Sequence, residues 1–206
     1  MALKIYGVPR SRAIRTLWMA HELGLEYQLI EVVPGAEGSR RAEFMAINPN
    51  GHVPFVDDDG LVLWESLAIN LHLARKHGGK IAAANLAEDS LAAMWTIWAV
   101  TELEPPASQV MMHTFMLPEP DRVPGLKADA LEKVQGPLLV LEGALVRGGG
   151  FLESGRFTVA DLNVACCVFY LRMNPEALVD KPAVRAWYAA SMSRPAAKVA
   201  FALRGD

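Results

Sequence analysis

Cysteine is almost missing from this chain. Cys166 and Cys167 are the only two among 206 residues, and they sit side by side in an apolar stretch. That pair forms no C-x-x-C and no zinc spacing, which excludes a disulfide framework and implies no thiol nucleophile; it reads as two buried small hydrophobes. Charge bias is lacking too. Twenty Lys and Arg against 23 Asp and Glu leave a net charge of −3, intermixed along the chain, which argues against nucleic acid or an anionic membrane as a partner. No apolar run approaches the roughly 20 residues of a membrane span, and the first residues show no signal-peptide hydrophobic region, so the cytoplasm is the expected compartment. Repeats and low-complexity tracts are absent. His21, His72, His77 and His113 lack metal-ligand spacing, and no metal is expected. With 52 % apolar and 21 % charged residues, what remains is a globular chain long enough for one large domain or two small ones.

What is present concentrates in residues 48–74. Val53-Pro54-Phe55-Val56 is a short apolar run ending at the turn signal Asp58-Asp59-Gly60, and Leu61 to Trp64 follows at once. The pair predicts a β-hairpin. Glu65-Ser66 then marks a switch to a helix with Leu67, Leu71 and Ala74 on one stripe and Ile69 and Leu73 on a second, the pattern of a helix buried between layers. Three features here bear on chemistry. The Ser66 hydroxyl and the first-turn N–H groups suit a carboxylate, and the Glu65 charge suits an ammonium. Pro54 cannot donate to a sheet, so the Val53 backbone is placed to receive an extended ligand. An amino-acid clamp beside a strand edge is a peptide-binding arrangement.

The run N-P-N-G-H-V-P followed by L-V-L-W-E-S-L-A-I resembles the glutathione-binding segment of the cytosolic glutathione transferase superfamily. The resemblance implies a cis Val53-Pro54 bond, a Val53 backbone paired with the cysteinyl part of glutathione, and Glu65 with Ser66 holding its γ-glutamyl end. Around this segment the first half reads β-α-β-α-β-β-α: a strand at 3–6, a helix from Ser11 to the stop at Gly24, a strand at 27–33, a short irregular helix within 39–45, then the hairpin and final helix. That is the order of a thioredoxin-like domain, over residues 1–78. Residues 79–86 read as a linker. Residues 87–206 show no strand pattern and predict an all-α helical bundle carrying the electrophile site and dimer contacts. Pro105-Pro106 is expected to interrupt its first helix, 117–125 carries three prolines, and 126–145 reads as one long helix. Thr158 and Asp161 fit a capping box before another, and match the S/T-x-x-D box of the family's buried helix.

A transferase of this kind favours the thiolate of glutathione, whose thiol pKa lies near ~8.5, by donating a hydrogen bond to sulfur near positive potential. Tyr6 and Ser11 are the candidate donors. Serine-type members open the first helix four positions before a second-turn residue, as Ser11 does before Arg15, so the spacing favours Ser11. The plain alternative is a helix cap. Position 11 is not cysteine, which argues against disulfide exchange, and Arg10-Ser11-Arg12 departs from the isomerase-type S-S-C run; a serine-type, theta-like or unclassified bacterial-type member is left. The resemblance implies His52 and Arg40 as residues that reach the glycyl carboxylate. The second substrate, a small apolar electrophile, is expected against Trp98, Met112, Phe115 and Met116. The expected protein is a homodimeric glutathione transferase using glutathione as co-substrate and no cofactor. A non-catalytic binding or regulatory protein of the same fold, or a glutathione-dependent peroxidase or dehalogenase, stays open.

Overall fold

A computed structural model describes residues 3–152 and 155–205. By internal contacts the chain forms two compact units: one runs to Ala83 and takes in the residues from Ser193 onward, the other spans Ala84–Met192.

The first unit is built on a four-stranded sheet. Its elements are β1 (Leu3–Tyr6), α1 (Ala13–Leu23), β2 (Tyr27–Ile30), α2 (Ala42–Met45), β3 (Phe55–Asp58), β4 (Leu61–Trp64) and α3 (Ser66–His77). Strand order is β2-β1-β3-β4, with β1 and β2 parallel and the β1–β3 and β3–β4 pairs antiparallel. This is the thioredoxin-like arrangement expected from the sequence. Strand β2 stops at Ile30, three residues short of expectation, where the chain turns toward Pro34-Gly35. The hairpin closes through Asp59 and Gly60, both at positive φ (56° and 90°), with the Gly60 N–H donating to Asp57 Oδ1 at 2.8 Å. Two adjacent positive-φ residues give the twist a two-residue hairpin requires.

Helix α1 ends at Gly24 in the left-handed conformation. Every residue from Ala13 to Ala20 is buried, including Arg15 and Thr16. One sheet cannot cover a helix on all sides. The rest of the cover comes from α3 and from the last helix, α10 (Pro195–Ala202), both of which pack on α1. The sequence reading grouped 195–206 with the second half; its packing places it here. Glu22 accepts from both Arg194 Nε (2.6 Å) and Nη2 (2.7 Å), and Trp18 stands edge-on to Phe201.

The second unit holds α4 (Leu86–Trp98), α5 (Glu104–Met111), α6 (Pro124–Lys133), α7 (Gln135–Arg147), α8 (Val159–Val168) and α9 (Pro182–Ser193). Pro105 and Pro106 do not end the helical run. A π-helical turn, Ala99–Leu103, carries the helix into them, with the Glu104 N–H reaching back to the Ala99 carbonyl; widening the coil just ahead of two residues without N–H groups accommodates their loss. The single helix predicted over 126–145 is instead two. Pro137 lies in the first turn of α7 and cannot donate to Lys133, so the coil is interrupted at Val134. Helix α8 is buried at every residue and packs on α4 and α5. Its capping box is formed: Thr158 Oγ1 accepts from the Ala160 N–H, and Asp161 Oδ2 accepts from the Thr158 N–H at 3.0 Å. It is shorter than expected, passing into a 3-10 turn at Phe169–Leu171. Cys166 and Cys167 are both buried within it.

Candidate active site

Gly7 ends β1 at φ +150°, and a Cβ placed there would lie 2.7 Å from Ala13 Cβ, 3.4 Å from Val53 Cβ and 3.7 Å from Ser11 Oγ. The strand end and the start of α1 therefore converge on one point with a run distant in sequence, the one entering β3. The Val53-Pro54 peptide is cis. Only a glycine lets the chain approach this closely.

Ser11 is half-buried, and its Oγ donates to the Val8 carbonyl at 2.7 Å while accepting from the Ala13 N–H at 3.1 Å. The hydroxyl thus occupies the mouth of α1, where unsatisfied backbone N–H groups concentrate positive potential. Tyr6, the other sulfur-donor candidate, is engaged elsewhere. Its ring stacks on Phe55 at 4.5 Å and meets Phe44 edge-on, within a cluster that includes Val32, Val53 and Ile47.

Glu65 is exposed and holds φ 72°, ψ 104°, an uncommon conformation for a residue with a side chain, at the turn from β4 into α3. Such backbone strain persists where the surroundings fix it. Ser66 beside it is buried, and Arg15 Nη1 lies 3.5 Å from its Oγ. Arg15 is itself 2 % exposed, and its carbonyl accepts from Asn70 Nδ2 at 3.4 Å. A guanidinium inside α1 thereby braces the tip of α3.

On the other side of Val53, Ser39 is buried and ties two loops together: its hydroxyl donates to the Gly51 carbonyl at 2.7 Å and accepts from the Gly35 N–H at 3.1 Å. Gly51, at φ +63°, would bring a Cβ within 2.9 Å of Arg40 Cγ. Arg40 thus packs on Gly51, the residue before His52, and both Arg40 and His52 are exposed. In the second unit Trp98 is half-buried and edge-on to Trp95. Met112, Phe115 and Met116 share the π-helical turn Met112–Met116, with Met116 exposed. The Phe115 ring is stacked by the Arg172 guanidinium at 4.5 Å, which also covers Phe169 at 4.0 Å. Nothing in the sequence signals this cation against Phe115.

None of these residues lines the cavity of about 350 Å³ at the C-terminal end of α3, formed by Leu3, Leu25, Glu26, Asp58, Asp59, Lys76 and His77. There burial pushes the Asp58 carboxyl up, but hydrogen bonds from Lys76 and His72 outweigh it and hold the group below the usual carboxylate range. Among the described residues no three or more His, Cys, Asp or Glu are grouped to hold a metal ion, and no helix is long and apolar enough to cross a membrane.

Residues 1–75 match the glutathione S-transferase N-terminal domain family and residues 103–195 the C-terminal domain family. Glutathione S-transferase 1 of Triticum aestivum is 31 % identical over 94 % of this chain and 91 % of its own length. The chain belongs to the glutathione S-transferase family. Glutathione S-transferase F13 of Arabidopsis thaliana is 32 % identical, over 95 % of this chain and 93 % of its own. Among solved structures, the theta class glutathione S-transferase of Xanthomonas axonopodis pv. citri, determined with glutathione bound, superposes with a TM-score of 0.88 at 31 % identity, covering 97 % of each chain.

Within this glutathione S-transferase, sequence reasoning used Arg15 only as a spacing marker and missed its contact with Ser66. The signal was available: a lone arginine on the apolar side of a helix has to find a polar partner when it is buried. The hydrogen bonds from Arg10 to the Arg204 carbonyl and from Arg204 to the Pro9 carbonyl were missed as well, because nothing in the sequence places residue 204 beside residue 10.

Proposed function

We propose that this glutathione S-transferase conjugates the thiolate of glutathione to small apolar electrophiles, with Ser11 as the hydrogen-bond donor to sulfur. Glutathione lies extended along Val53, its γ-glutamyl end held by Glu65 and Ser66 and its glycyl carboxylate beside His52 and Arg40. The observation that carries this reading is the convergence of Ser11, Val53 and the start of α1 on Gly7. The Ser11 hydroxyl already accepts from Ala13, which polarises its O–H. It needs only to rotate its proton from the Val8 carbonyl to the sulfur. That hydrogen bond, together with the potential at the mouth of α1, stabilises the thiolate over the thiol. Attack on the electrophile then transfers the sulfur lone pair to the electrophilic carbon and releases the leaving group, with positioning supplying much of the rate. Glutathione is consumed as co-substrate and no resident cofactor takes part.

The electrophile rests against Trp98, Met112, Phe115 and Met116, with the Arg172 guanidinium presenting positive charge at the Phe115 ring. A homodimer is part of the same reading. The outermost strand β4 leaves Leu61, Val62 and Trp64 exposed, and analytical ultracentrifugation tests it.

The deciding experiment is Ser11→Ala assayed with a chloro-nitroaromatic electrophile and titrated with glutathione by calorimetry. Losing one donor to a developing or formed anion predicts a fall in kcat of about tenfold or more, with glutathione affinity nearly unchanged. Wild-type turnover in that variant would remove Ser11 from the chemistry. Glutathione binding without turnover of several electrophiles in the wild-type protein would point instead to a non-catalytic member of the family.

A further inference from the structure

The loop that carries Ser11 is clasped by two arginines. Arg10 Nε donates to the Arg204 carbonyl at 2.8 Å and its Nη2 to the Gly205 carbonyl at 3.1 Å. Arg204 answers with its own guanidinium, Nη1 donating to the Pro9 carbonyl at 3.2 Å. The segment just after α10 and the loop just before α1 therefore hold each other through three hydrogen bonds, each from a charged donor to a backbone carbonyl. Such bonds are stronger than neutral ones and, from a planar fork, directional.

The bonds fall on the peptide groups that matter. Val8, Pro9, Arg10 and Ser11 belong to neither β1 nor α1, so no ladder fixes them. Within them the Val8 carbonyl accepts both the Ser11 N–H (2.9 Å) and the Ser11 hydroxyl (2.7 Å). The direction of that carbonyl sets how readily the hydroxyl lets go. Fixing the next carbonyl, Pro9, fixes the plane beside it. Behind the clasp α10 is itself anchored on α1 by Glu22–Arg194 and Trp18–Phe201, so the tail is a firm point from which to hold the loop.

We propose that Arg10 and Arg204 are positioning residues for Ser11: the clasp between the post-α10 segment and the Pro9-Arg10 turn holds the serine hydroxyl where it can pass its hydrogen bond from Val8 to the sulfur of glutathione. This rests on the serine reading above. It adds that the segment after α10, which contributes no group to the chemistry, sets the strength of thiol activation.

The test compares Ser11→Ala, Arg10→Ala, Arg204→Ala and the double variant Ser11→Ala/Arg204→Ala in the full chain. The readouts are the pKa of enzyme-bound glutathione, from the ultraviolet absorbance of its thiolate against pH, and kcat and KM with a chloro-nitroaromatic substrate. The clasp variants are expected to raise the thiol pKa and lower kcat by roughly three- to tenfold, short of the about hundredfold loss that outright misplacement of a catalytic group brings. The KM for glutathione should hold within about twofold, because binding shared by ground and transition states is untouched. The double variant should be no worse than Ser11→Ala alone, since a residue acting through Ser11 has nothing left to position. A wild-type thiol pKa in both clasp variants overturns the proposal while leaving the serine reading intact, as does a full Arg204→Ala penalty on the Ser11→Ala background. A wild-type thiol pKa in Ser11→Ala overturns the serine reading and this inference with it.

Discussion

Asp161 offers the sharpest test of how the second unit is held together. Its carboxylate is fully buried and receives four hydrogen bonds: Oδ1 accepts from Trp187 Nε1 (2.8 Å) and the Leu152 N–H (3.1 Å), and Oδ2 from the Thr158 N–H (3.0 Å) and Thr158 Oγ1 (3.2 Å). Replacing it with alanine strands three buried N–H groups, each costing about 1–3 kcal/mol, so a loss of about 4–6 kcal/mol is expected, a large share of the about 5–15 kcal/mol that stabilises a domain. Asparagine is milder. Its carbonyl oxygen can keep Trp187 and Leu152, its amide then faces Thr158, and the hydroxyl there can turn to accept; one buried N–H is lost, at about 1–3 kcal/mol. The pH dependence separates the charge from the geometry. Burial pushes the Asp161 carboxyl above its usual range, with the bonds from Thr158, Trp187 and Leu152 pulling it back only in part. A folded-state pKa above the unfolded one adds stability that is complete below the unfolded value, about 4, and is lost as pH rises through the folded value. The Asp161→Asn variant cannot titrate there, so its deficit should widen as pH falls from 7 toward about 4. Urea unfolding followed by tryptophan fluorescence at several pH values measures both. A deficit that stays constant or narrows on acidification would refute the reasoning, and would mean that the four donors outweigh burial.

The remaining predictions concern the first unit. Glu22→Gln breaks the paired contacts to Arg194 and weakens the one from Trp18. Arg194 is 35 % exposed, so a loss of only about 1–2 kcal/mol is expected, with faster amide exchange in α10; unchanged exchange there would show that Phe201 and its neighbours suffice. Gly7→Ala puts a methyl 2.7 Å from Ala13 Cβ at φ +150°, which should cost about 2 kcal/mol or more and displace Ser11, seen together as a lower melting point and lower kcat. Tyr6→Phe keeps the stack on Phe55 and Phe44 and deletes only the hydroxyl, so stability should stay within about 0.5 kcal/mol and turnover near wild type; a loss comparable to that of Ser11→Ala would move the sulfur donor to Tyr6.

The elements around glycine and proline signals were legible because one local rule fixes each. The Asp59-Gly60 hairpin, the Gly24 helix stop and the Thr158–Asp161 capping box all stand where short-range backbone chemistry puts them. The cis Val53-Pro54 bond came through family resemblance, since a Val-Pro pair does not by itself choose cis. The misread helix over 126–145 was avoidable: its apolar period continues through Gly136-Pro137, and periodicity does not register a missing N–H. The π-helical turns were not readable, because a sequence gives the period of side chains and not the hydrogen-bond register beneath them. Nor was the place of α10, whose apolar stripe specifies that it must be covered but not by what. For Arg15 the sequence signals the need for a partner but not which one, and the Arg10–Arg204 clasp gives no signal at all, as both depend on residues more than 50 positions away.

These two kinds of information meet at the choice between Tyr6 and Ser11. Spacing to Arg15 favoured the serine, but spacing alone says nothing about what each hydroxyl would give up. Tyr6 sits in an aromatic cluster whose stacking is worth about 0.5–1.5 kcal/mol beyond burial, and turning its ring toward a ligand would forfeit that along with the burial of Phe55 beside it. In the proposed mechanism Ser11 would move one proton about a single bond, exchanging the Val8 carbonyl for a thiolate while keeping its bond from Ala13. The exchange also favours the ligand, because an anion is the stronger acceptor. A serine poised on a carbonyl is satisfied without a ligand and, in the reading proposed above, available to one, so in that reading the geometry of Val8, and whatever holds it, sets thiol activation.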